Sequence, residues 1–104
     1  MKIKDMYPEY ERFQRQSKTP GTALVRCGLI QNYALPIIGE MHFEQPSASN
    51  IISIYKSMED QGLKSNTIYG MQAALSSYFK YARQRGYTGS DPMSVTPRRY
   101  NTIR

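Results

Sequence analysis

One stretch of the chain, from Ile68 to Ala82, repeats its apolar residues at the spacing of an α-helix. At about 100° per residue, six apolar side chains fall on one side of that helix: Ile68, Met71, Leu75, Tyr78, Phe79 and Ala82. Gly86 then ends the run, as glycine commonly does after a helix. The stretch therefore predicts a long helix with one buried face, and it is the clearest structural signal in the sequence.

Two earlier segments also have helical character. Residues 6–16 place three aromatic residues three positions apart, which predicts a short helix whose aromatic stripe packs against the rest of the fold. The stripe consists of Tyr7, Tyr10 and Phe13. Thr22 is suited to cap a second helix that runs to about Leu35. That helix is apolar on several sides, so its spacing assigns no buried face. Pro36 and Gly39 predict that a turn through Met41, His42 and Phe43 follows it.

A third helix is predicted after Ser47 or Ser49, either of which can serve as its N-cap. Its apolar face consists of Ile51, Ile54, Tyr55 and Met58. Gly62 is suited to the left-handed backbone conformation that commonly ends a helix. Strand signals are scarce throughout the 104 residues, a length that suits one small domain. The sequence thus predicts an all-α bundle of about four helices.

Composition argues against several classes of protein. No apolar run approaches the roughly 20 residues that a bilayer span needs, and residues 1–5 lack a signal-peptide core, so we expect a cytoplasmic protein. Cys27 and His42 are the single cysteine and the single histidine, which leaves neither a disulfide framework nor a Cys/His zinc site. Nothing near His42 predicts a Ser/His/Asp catalytic arrangement. We therefore expect no metal, no cofactor and no small-molecule substrate.

The net charge of +6 is concentrated in one part of the chain. Residues 1–60 carry seven Lys and Arg against seven acidic residues, whereas residues 61–104 carry seven Lys and Arg against Asp91 alone. Such asymmetry suggests a polyanionic partner, either nucleic acid or an anionic membrane surface. Because no helix combines a basic polar face with a large exposed apolar face, a membrane surface is the weaker interpretation.

The segment GLKSNTI, residues 62–68, leads into the clearest helix. Ser65 is suited to be the N-cap of that helix. The free N–H groups of a helix start and the positive end of its dipole form a ready phosphate site, and Lys64 adds a cation beside it. Asn66 and Thr67 are candidates for contact with phosphate or a base edge, and asparagine is suited to adenine. The alternative interpretation is a capped helix start with a solvated lysine.

The side chains opposite the apolar face of this helix are unusually small. This small face consists of Asn66, Tyr69, Gly70, Ala73, Ser77 and Lys80, with Ser76 and Arg83 on its flank. Small side chains allow another object to come close to the helix backbone. That object is either another helix or a phosphate backbone.

The stretch GLKSNTIYGMQAALSSYFKYARQRGYTGSDPM, residues 62–93, resembles the core-binding domain of tyrosine recombinases, the phage-integrase family. In that family a Gly-Leu-Ser-like turn and a Thr-Ile pair open a helix that carries Ala-Leu and Phe-x-x-Ala. Upstream, Thr22, Pro36 and Gly39 resemble the family's first long helix and its Pro-x-x-Gly ending. The order and spacing of these pieces carry the resemblance, which covers nearly the whole chain.

The resemblance implies a SAM-like bundle that forms one jaw of a clamp around duplex DNA, in a protein of DNA integration and recombination. It implies a core-binding domain over residues 1–96, with an N-terminal helix in 1–17 and the main bundle in 18–96. A basic linker over 97–104 would lead to a catalytic domain that is absent from this chain. The expected partners are double-stranded DNA and other integrase protomers.

The same resemblance implies that the starts of the first and last long helices face the DNA. Mapped onto this sequence, the candidate contacts are Lys18, Thr19, Thr22 and Arg26 in the first helix, Lys64, Ser65, Asn66, Thr67 and Tyr69 in the last, Lys80 and Arg83 further along its small face, and Arg98 and Arg99 on the linker. Lysine and arginine are expected to contact phosphates. Asn66, Thr67 and Tyr69 are expected to contact bases or sugars.

Strand cleavage is not expected of this chain by itself. The family cleaves DNA with a tyrosine nucleophile, supported by arginines, a lysine and histidines of a C-terminal domain. None of the nine tyrosines here lies in a motif that matches the nucleophile, and one histidine does not supply the set. An alternative function is a helical protein-interaction module whose small face docks a partner helix.

Overall fold

The computed structural model describes residues 1–17 and 19–89, and these residues form a helical bundle. In chain order the elements are a 3-10 turn (Ile3–Met6), α1 (Tyr7–Ser17), α2 (Pro20–Leu29), a π-helical turn (Ile30–Ala34), α3 (Leu35–Ile38), α4 (Ala48–Asp60) and α5 (Ser65–Gln84). The π-helical turn joins α2 to α3 without a break. The two described ranges contain no strand. An isolated β-bridge joins Lys2 to His42. The predicted all-α bundle of about four helices is confirmed.

The buried face of α5 contributes much of the hydrophobic core. All six apolar residues that the sequence places on this face are at most 2% exposed. The predicted face of α4 is equally buried, and its side chains join those of α5 in one hydrophobic cluster. Tyr10 of α1 packs edge-on against Tyr78, with ring centroids 4.8 Å apart, an arrangement that aromatic pairs prefer. The buried faces predicted for α4 and α5 are therefore correct.

The structure assigns the buried face of α2, which the sequence left open. Ala23 and Cys27 are buried, whereas Leu24 and Val25 are exposed by 69% and 58%. The two buried residues are four positions apart, which places them on one face of a helix. Leu24 and Val25 are the exposed apolar residues that made the sequence pattern ambiguous.

Two of the predicted helix starts are wrong. Thr19, not Thr22, is the N-cap of α2, and its hydroxyl oxygen accepts a hydrogen bond from the Thr22 amide at 3.4 Å. Pro20 favours this start because its fixed φ suits the first helical position. Lys64, not Ser65, precedes α5, so Ser65 is the first residue inside the helix. The third start is correct, since Ser47 caps α4 and its amide donates to Oδ1 of Asn50 at 2.9 Å.

Both helix ends predicted at glycines are confirmed. Gly62 follows α4 with φ of 82°, and Gly86 follows α5 with φ of 77°. These angles lie in the left-handed region that glycine adopts at low cost. The helix predicted to end at about Leu35 continues through Pro36 to Ile38, and the turn predicted through Met41, His42 and Phe43 is confirmed, since turns follow α3 at residues 39–40 and 43–44. The Leu35 amide donates to the Ile30 carbonyl, and this longer i to i+5 bond lets the helix continue into a proline.

The first residues of the chain are held against the turn that ends α3. The Ile3 amide donates to the Met41 carbonyl at 2.8 Å, and the Lys4 amide donates to the Gly39 carbonyl at 3.0 Å. The Tyr78 hydroxyl donates to the Ile3 carbonyl at 2.5 Å. These bonds attach the N-terminal 3-10 turn to both α3 and α5.

None of the helices within residues 1–17 and 19–89 combines the length and the apolar character that crossing a bilayer requires.

Candidate nucleic-acid interface

Helix α2 crosses α5 on the small face that the sequence predicts. A Cβ atom built at Gly70 would lie 3.5 Å from Cδ1 of Leu29, and Nη1 of Arg26 lies 3.5 Å from Oγ of Ser77. Small residues at these two positions let the backbones of α2 and α5 come close. Part of the small face is therefore covered by another helix of the same domain, so that Gly70 and Ser77 are half-buried.

The rest of the small face stays exposed. Its exposed members are Asn66, Tyr69, Ala73, Ser76, Lys80 and Arg83. Helical periodicity gives the angle of each residue around α5, but it does not reveal which part of that circle a neighbouring helix covers. The exposed strip is the part of the predicted surface that remains available to a partner.

Two surface grooves flank the crossing of α2 and α5. The first, which we call the α2/α5 groove, has a volume of about 530 Å³ and is lined by residues 19–26 of α2 and 70–73 of α5. Thr19, Thr22 and Arg26, three of the predicted DNA contacts, line it together with Gly70 and Ala73. The structure thus brings the first part of α2 beside the first half of α5.

The second groove lies between α1, α2 and α5, and we call it the three-helix groove. It has a volume of about 520 Å³, and Lys80 contributes to its wall. Arg26 and Ala73 line both grooves, so the two grooves are adjacent. None of the described residues that line either groove is acidic.

Arg26 is held at the junction of the grooves by neutral partners. Its Nη1 lies 3.5 Å from Oε1 of Gln14 and 3.5 Å from Oγ of Ser77. The same Ser77 oxygen accepts a hydrogen bond from the Tyr10 hydroxyl at 2.9 Å. Burial raises the pKa of Tyr10 against the opposing effects of Ser77 and Arg26, so the phenol stays neutral and the positive charge of Arg26 is not cancelled.

Gln14 is a site residue that the sequence interpretation missed. It is fully buried on α1, four residues after the buried Tyr10. The aromatic stripe predicted on α1 is correct for Tyr10, but Phe13 is 38% exposed and lies against Tyr81, with ring centroids 4.7 Å apart. The sequence does contain a signal for Gln14, because it is a polar residue four positions after Tyr10 and so lies on the same face of α1. Such a position is normally apolar, so a glutamine there indicates a specific polar partner.

The start of α5 retains the features of an anion site. The Thr67 and Ile68 amides donate to the Lys64 carbonyl, whereas no described side chain caps the helix start and its first turn contains no acid. Lys64 and Asn66 are exposed, and Ser65 and Thr67 are half-buried. Lys18, Arg98 and Arg99 lie outside the described residues, as does the predicted linker.

Ion pairs neutralise several cations elsewhere on the surface. Lys2 and Lys4 both bind Glu40, Arg15 binds Glu11, and Arg85 binds Glu9. Within the described ranges, Arg26, Lys64 and Lys80 have no acidic partner. Arg12 and Lys56 share this property, but they lie on α1 and α4 and line neither groove. Of these five cations, only Arg26 and Lys80 line either groove.

Comparison with known proteins gives one likeness in structure. No protein-family model matches the chain, and no curated protein does. The chain is similar to the solution NMR structure of an integrase-like domain from Bacillus cereus, with a TM-score of 0.80 and 16% sequence identity. The match covers 99% of this chain and 91% of that one. The chain therefore has the fold of an integrase-like domain, as its sequence resemblance predicts.

Proposed function

We propose that this domain binds double-stranded DNA through the exposed surface of α2 and α5, as the core-binding half-clamp of a site-specific tyrosine recombinase. The observation that carries the proposal is the surface around Arg26, where two adjacent grooves, one lined by Thr19 and Thr22 and the other by Lys80, have no acidic residue among their described lining residues. A surface that lacks carboxylates and presents cations from two helices suits a polyphosphate. The integrase-like fold supports the same assignment.

The proposed contacts fall into two chemical groups. Cations contact phosphates and make binding depend on salt; they are Lys18, Arg26, Lys64, Lys80, Arg83, Arg98 and Arg99. Polar groups at the helix starts contact phosphate, sugar or base edges; they are Thr19, Thr22, Ser65, Asn66, Thr67 and Tyr69. The start of α5 adds backbone amides and the positive end of the helix dipole.

We further propose that the chain does not cleave DNA by itself. Burial raises the pKa of Tyr10, Tyr55 and Tyr78, and these three rings lie in the core, where a phosphodiester has no access. Tyr7 is partly buried, and burial raises its pKa to about 12. Such tyrosines resist the ionisation that a nucleophile requires. These four tyrosines are thus unsuited to be the nucleophile, and binding without chemistry is the proposed activity of this domain.

Titration of the ¹⁵N-labelled domain with a duplex at low salt tests the proposal, because non-specific affinities at physiological salt are often only about micromolar or weaker. We expect chemical-shift changes at residues 19–26, 64–70 and 80, with fluorescence anisotropy giving an affinity that falls as salt rises. Changes confined to α4, or an affinity independent of salt, would contradict the proposal.

A second candidate function is docking of a partner protein. The observation in its favour is the apolar pair Leu24 and Val25, which α2 exposes to solvent beside the α2/α5 groove. Exposed apolar side chains in adjacent positions are a feature of interaction surfaces. If duplex DNA causes no shift changes and a protein partner perturbs residues 24–25, this second function replaces the first.

A further inference from the structure

The three-helix groove has the features of a built anion site. It is open to solvent, with a volume of about 520 Å³. Helix α5 contributes the hydroxyls of Ser76 and Ser77 and the ammonium group of Lys80, and α2 contributes the guanidinium of Arg26. All of these groups donate hydrogen bonds, two of them carry positive charge, and the described residues of the lining include no carboxylate. An anionic ligand rich in oxygen acceptors fits this lining.

Nη1 of Arg26 contacts two neutral acceptors, while the other donors of the guanidinium remain available. Nη1 is bound by Oε1 of Gln14 and by Oγ of Ser77, each at 3.5 Å. A guanidinium group has five N–H donors in a rigid plane, and no partner among the described residues accepts from Nη2 or Nε. Because the side chain is already oriented, binding an oxyanion costs less conformational entropy than it would for a free surface arginine.

The amide of Gln14 explains how Arg26 is oriented. A guanidinium only donates, so it fixes the Gln14 carbonyl oxygen towards Arg26 and directs Nε2 away from it. Nε2 is buried and has no hydrogen-bond partner among the described residues. A buried unpaired donor destabilises a fold, and a leucine or methionine would fill this position without that cost. The polar residue therefore serves its interaction with Arg26, and its spare N–H groups need an acceptor oxygen.

Phosphate is the anion that this arrangement fits best. Its oxygens are acceptors that a planar guanidinium binds in pairs, and Lys80 supplies a second cation on the same groove. Nε2 of Gln14 is buried, so a phosphate oxygen reaches it only after a small movement of the groove walls. The three-helix groove adjoins the α2/α5 groove at Arg26 and Ala73, so a phosphate backbone that contacts Arg26 passes beside both grooves.

The geometry points to a single-phosphate subsite in the three-helix groove, in which Arg26 binds one phosphate of the duplex backbone and Gln14 acts as the positioning residue of Arg26. This inference rests on the proposed function, because it takes the phosphate from bound DNA. It adds a subsite between α1, α2 and α5 that is separate from the start of α5.

Side-chain NMR signals and two variants test the subsite. The Nε–H signal of Arg26 and the Nε2 signals of Gln14 are followed during titration with a short duplex and, separately, with inorganic phosphate. Arg26→Lys keeps the charge but loses the paired geometry, and we expect a loss of affinity for the duplex of about tenfold. Gln14→Met keeps the volume and the charge of the site, and we expect a several-fold loss with an unchanged salt slope. Arg12→Lys, the same exchange at an arginine outside the groove, is the matched control.

Each result decides between the alternatives. Shifts of both side-chain signals with the duplex, together with the two losses and a neutral control, support the subsite. If the duplex binds and shifts residues 64–70 but leaves Arg26 and Gln14 unchanged, the subsite is wrong and the proposed function stands. If Gln14→Met lowers the melting temperature alone and leaves the affinity unchanged, Gln14 is structural and the positioning role is wrong. If inorganic phosphate shifts both signals and the duplex does not bind, the groove takes a free anion, and both the backbone assignment and the proposed function fail.

Discussion

Glu9 of α1 and Arg85, the C-cap residue that follows α5, form an ion pair in which Nε of Arg85 lies 2.9 Å from Oε2 of Glu9. The hydroxyl of Tyr81 donates to the same carboxylate at 2.8 Å, and that of Tyr87 donates at 2.6 Å. These hydrogen bonds, Tyr87 first and Tyr81 second, lower the pKa of Glu9. One carboxylate therefore connects the start of α1 to the end of α5 and to the segment that follows it.

Replacing Glu9 tests the strength of this connection. Glu9→Gln removes the ion pair and weakens the two hydrogen bonds from tyrosine, because acceptors that carry charge form stronger bonds. We expect a lower melting temperature by circular dichroism. Glu59→Gln on α4 removes an exposed carboxylate without such partners and should leave the melting temperature near that of the original protein. Equal melting temperatures for the two variants would contradict the role of Glu9.

The hydroxyl of Tyr78 is expected to stabilise the N-terminal turn. Tyr78 is buried, and its hydroxyl donates to the Ile3 carbonyl at 2.5 Å. Tyr78→Phe removes this hydrogen bond from the core and should lower the free energy of unfolding by about 1 kcal/mol, a typical net value for one bond. Urea denaturation measures the change. Tyr33→Phe is the control, because Tyr33 is half-buried and forms no hydrogen bond with the part of the chain that the structure describes. A loss of similar size in both variants would show that the bond to Ile3 is not responsible.

Acid should weaken the contact between the N-terminus and the turn after α3. Hydrogen bonds from Lys4 and then Lys2 lower the pKa of Glu40 from 4.5 to about 2. A carboxylate whose pKa is lower in the folded state contributes its full stabilisation above its ordinary pKa and loses it as the pH falls towards the folded value. The melting temperature of the original protein should therefore approach that of Glu40→Gln between pH 4.5 and about 2. A difference between the two proteins that stays constant from pH 6 to about 2 would contradict this assignment.

The sequence predicts the helices whose buried faces follow the period of an ideal helix. The apolar residues of α4 and α5 recur at this period, and both helices end at glycines with positive φ, so local rules were sufficient. In α2 the exposed Leu24 and Val25 carry the same apolar signal as the buried Cys27. Burial there depends on the position of α5, which local spacing does not contain.

Prediction from the sequence has a similar limit at the helix starts and at the interface. Thr19 and Thr22 are both good caps, and the proline between them decides the start of α2. The resemblance to integrases named Arg26 as a contact, and the structure adds that Gln14 and Ser77 hold it. That arrangement joins three helices across up to 63 positions of the chain, so no local pattern predicts it.

Lys64 and Asn66 are expected to contribute differently to DNA binding. As a phosphate contact, Lys64 should act alike on all sequences, so that Lys64→Ala weakens binding uniformly and reduces the slope of log K against log salt by about one. Asn66→Ala should instead reduce discrimination between sites, because base contacts carry the sequence information. Anisotropy with several duplexes across a salt series measures both effects. Lys56→Ala on α4 is the control, and an equal change of slope in this variant would show that Lys64 has no specific role.

Ala73 provides a test of charge at the junction of the two grooves. It is exposed on α5 and lines both grooves, and a long side chain at this position does not disturb the core. Ala73→Glu places a carboxylate beside Arg26 on the acid-free surface, where it repels phosphate and competes for the guanidinium. We expect a loss of affinity for the duplex of about tenfold at low salt, and the loss should shrink as salt screens the added charge. Ala73→Gln has nearly the same size without the charge, so it separates repulsion from steric obstruction. If the two variants bind equally well at low salt, no phosphate lies near the junction, and the DNA contacts a different face of the bundle.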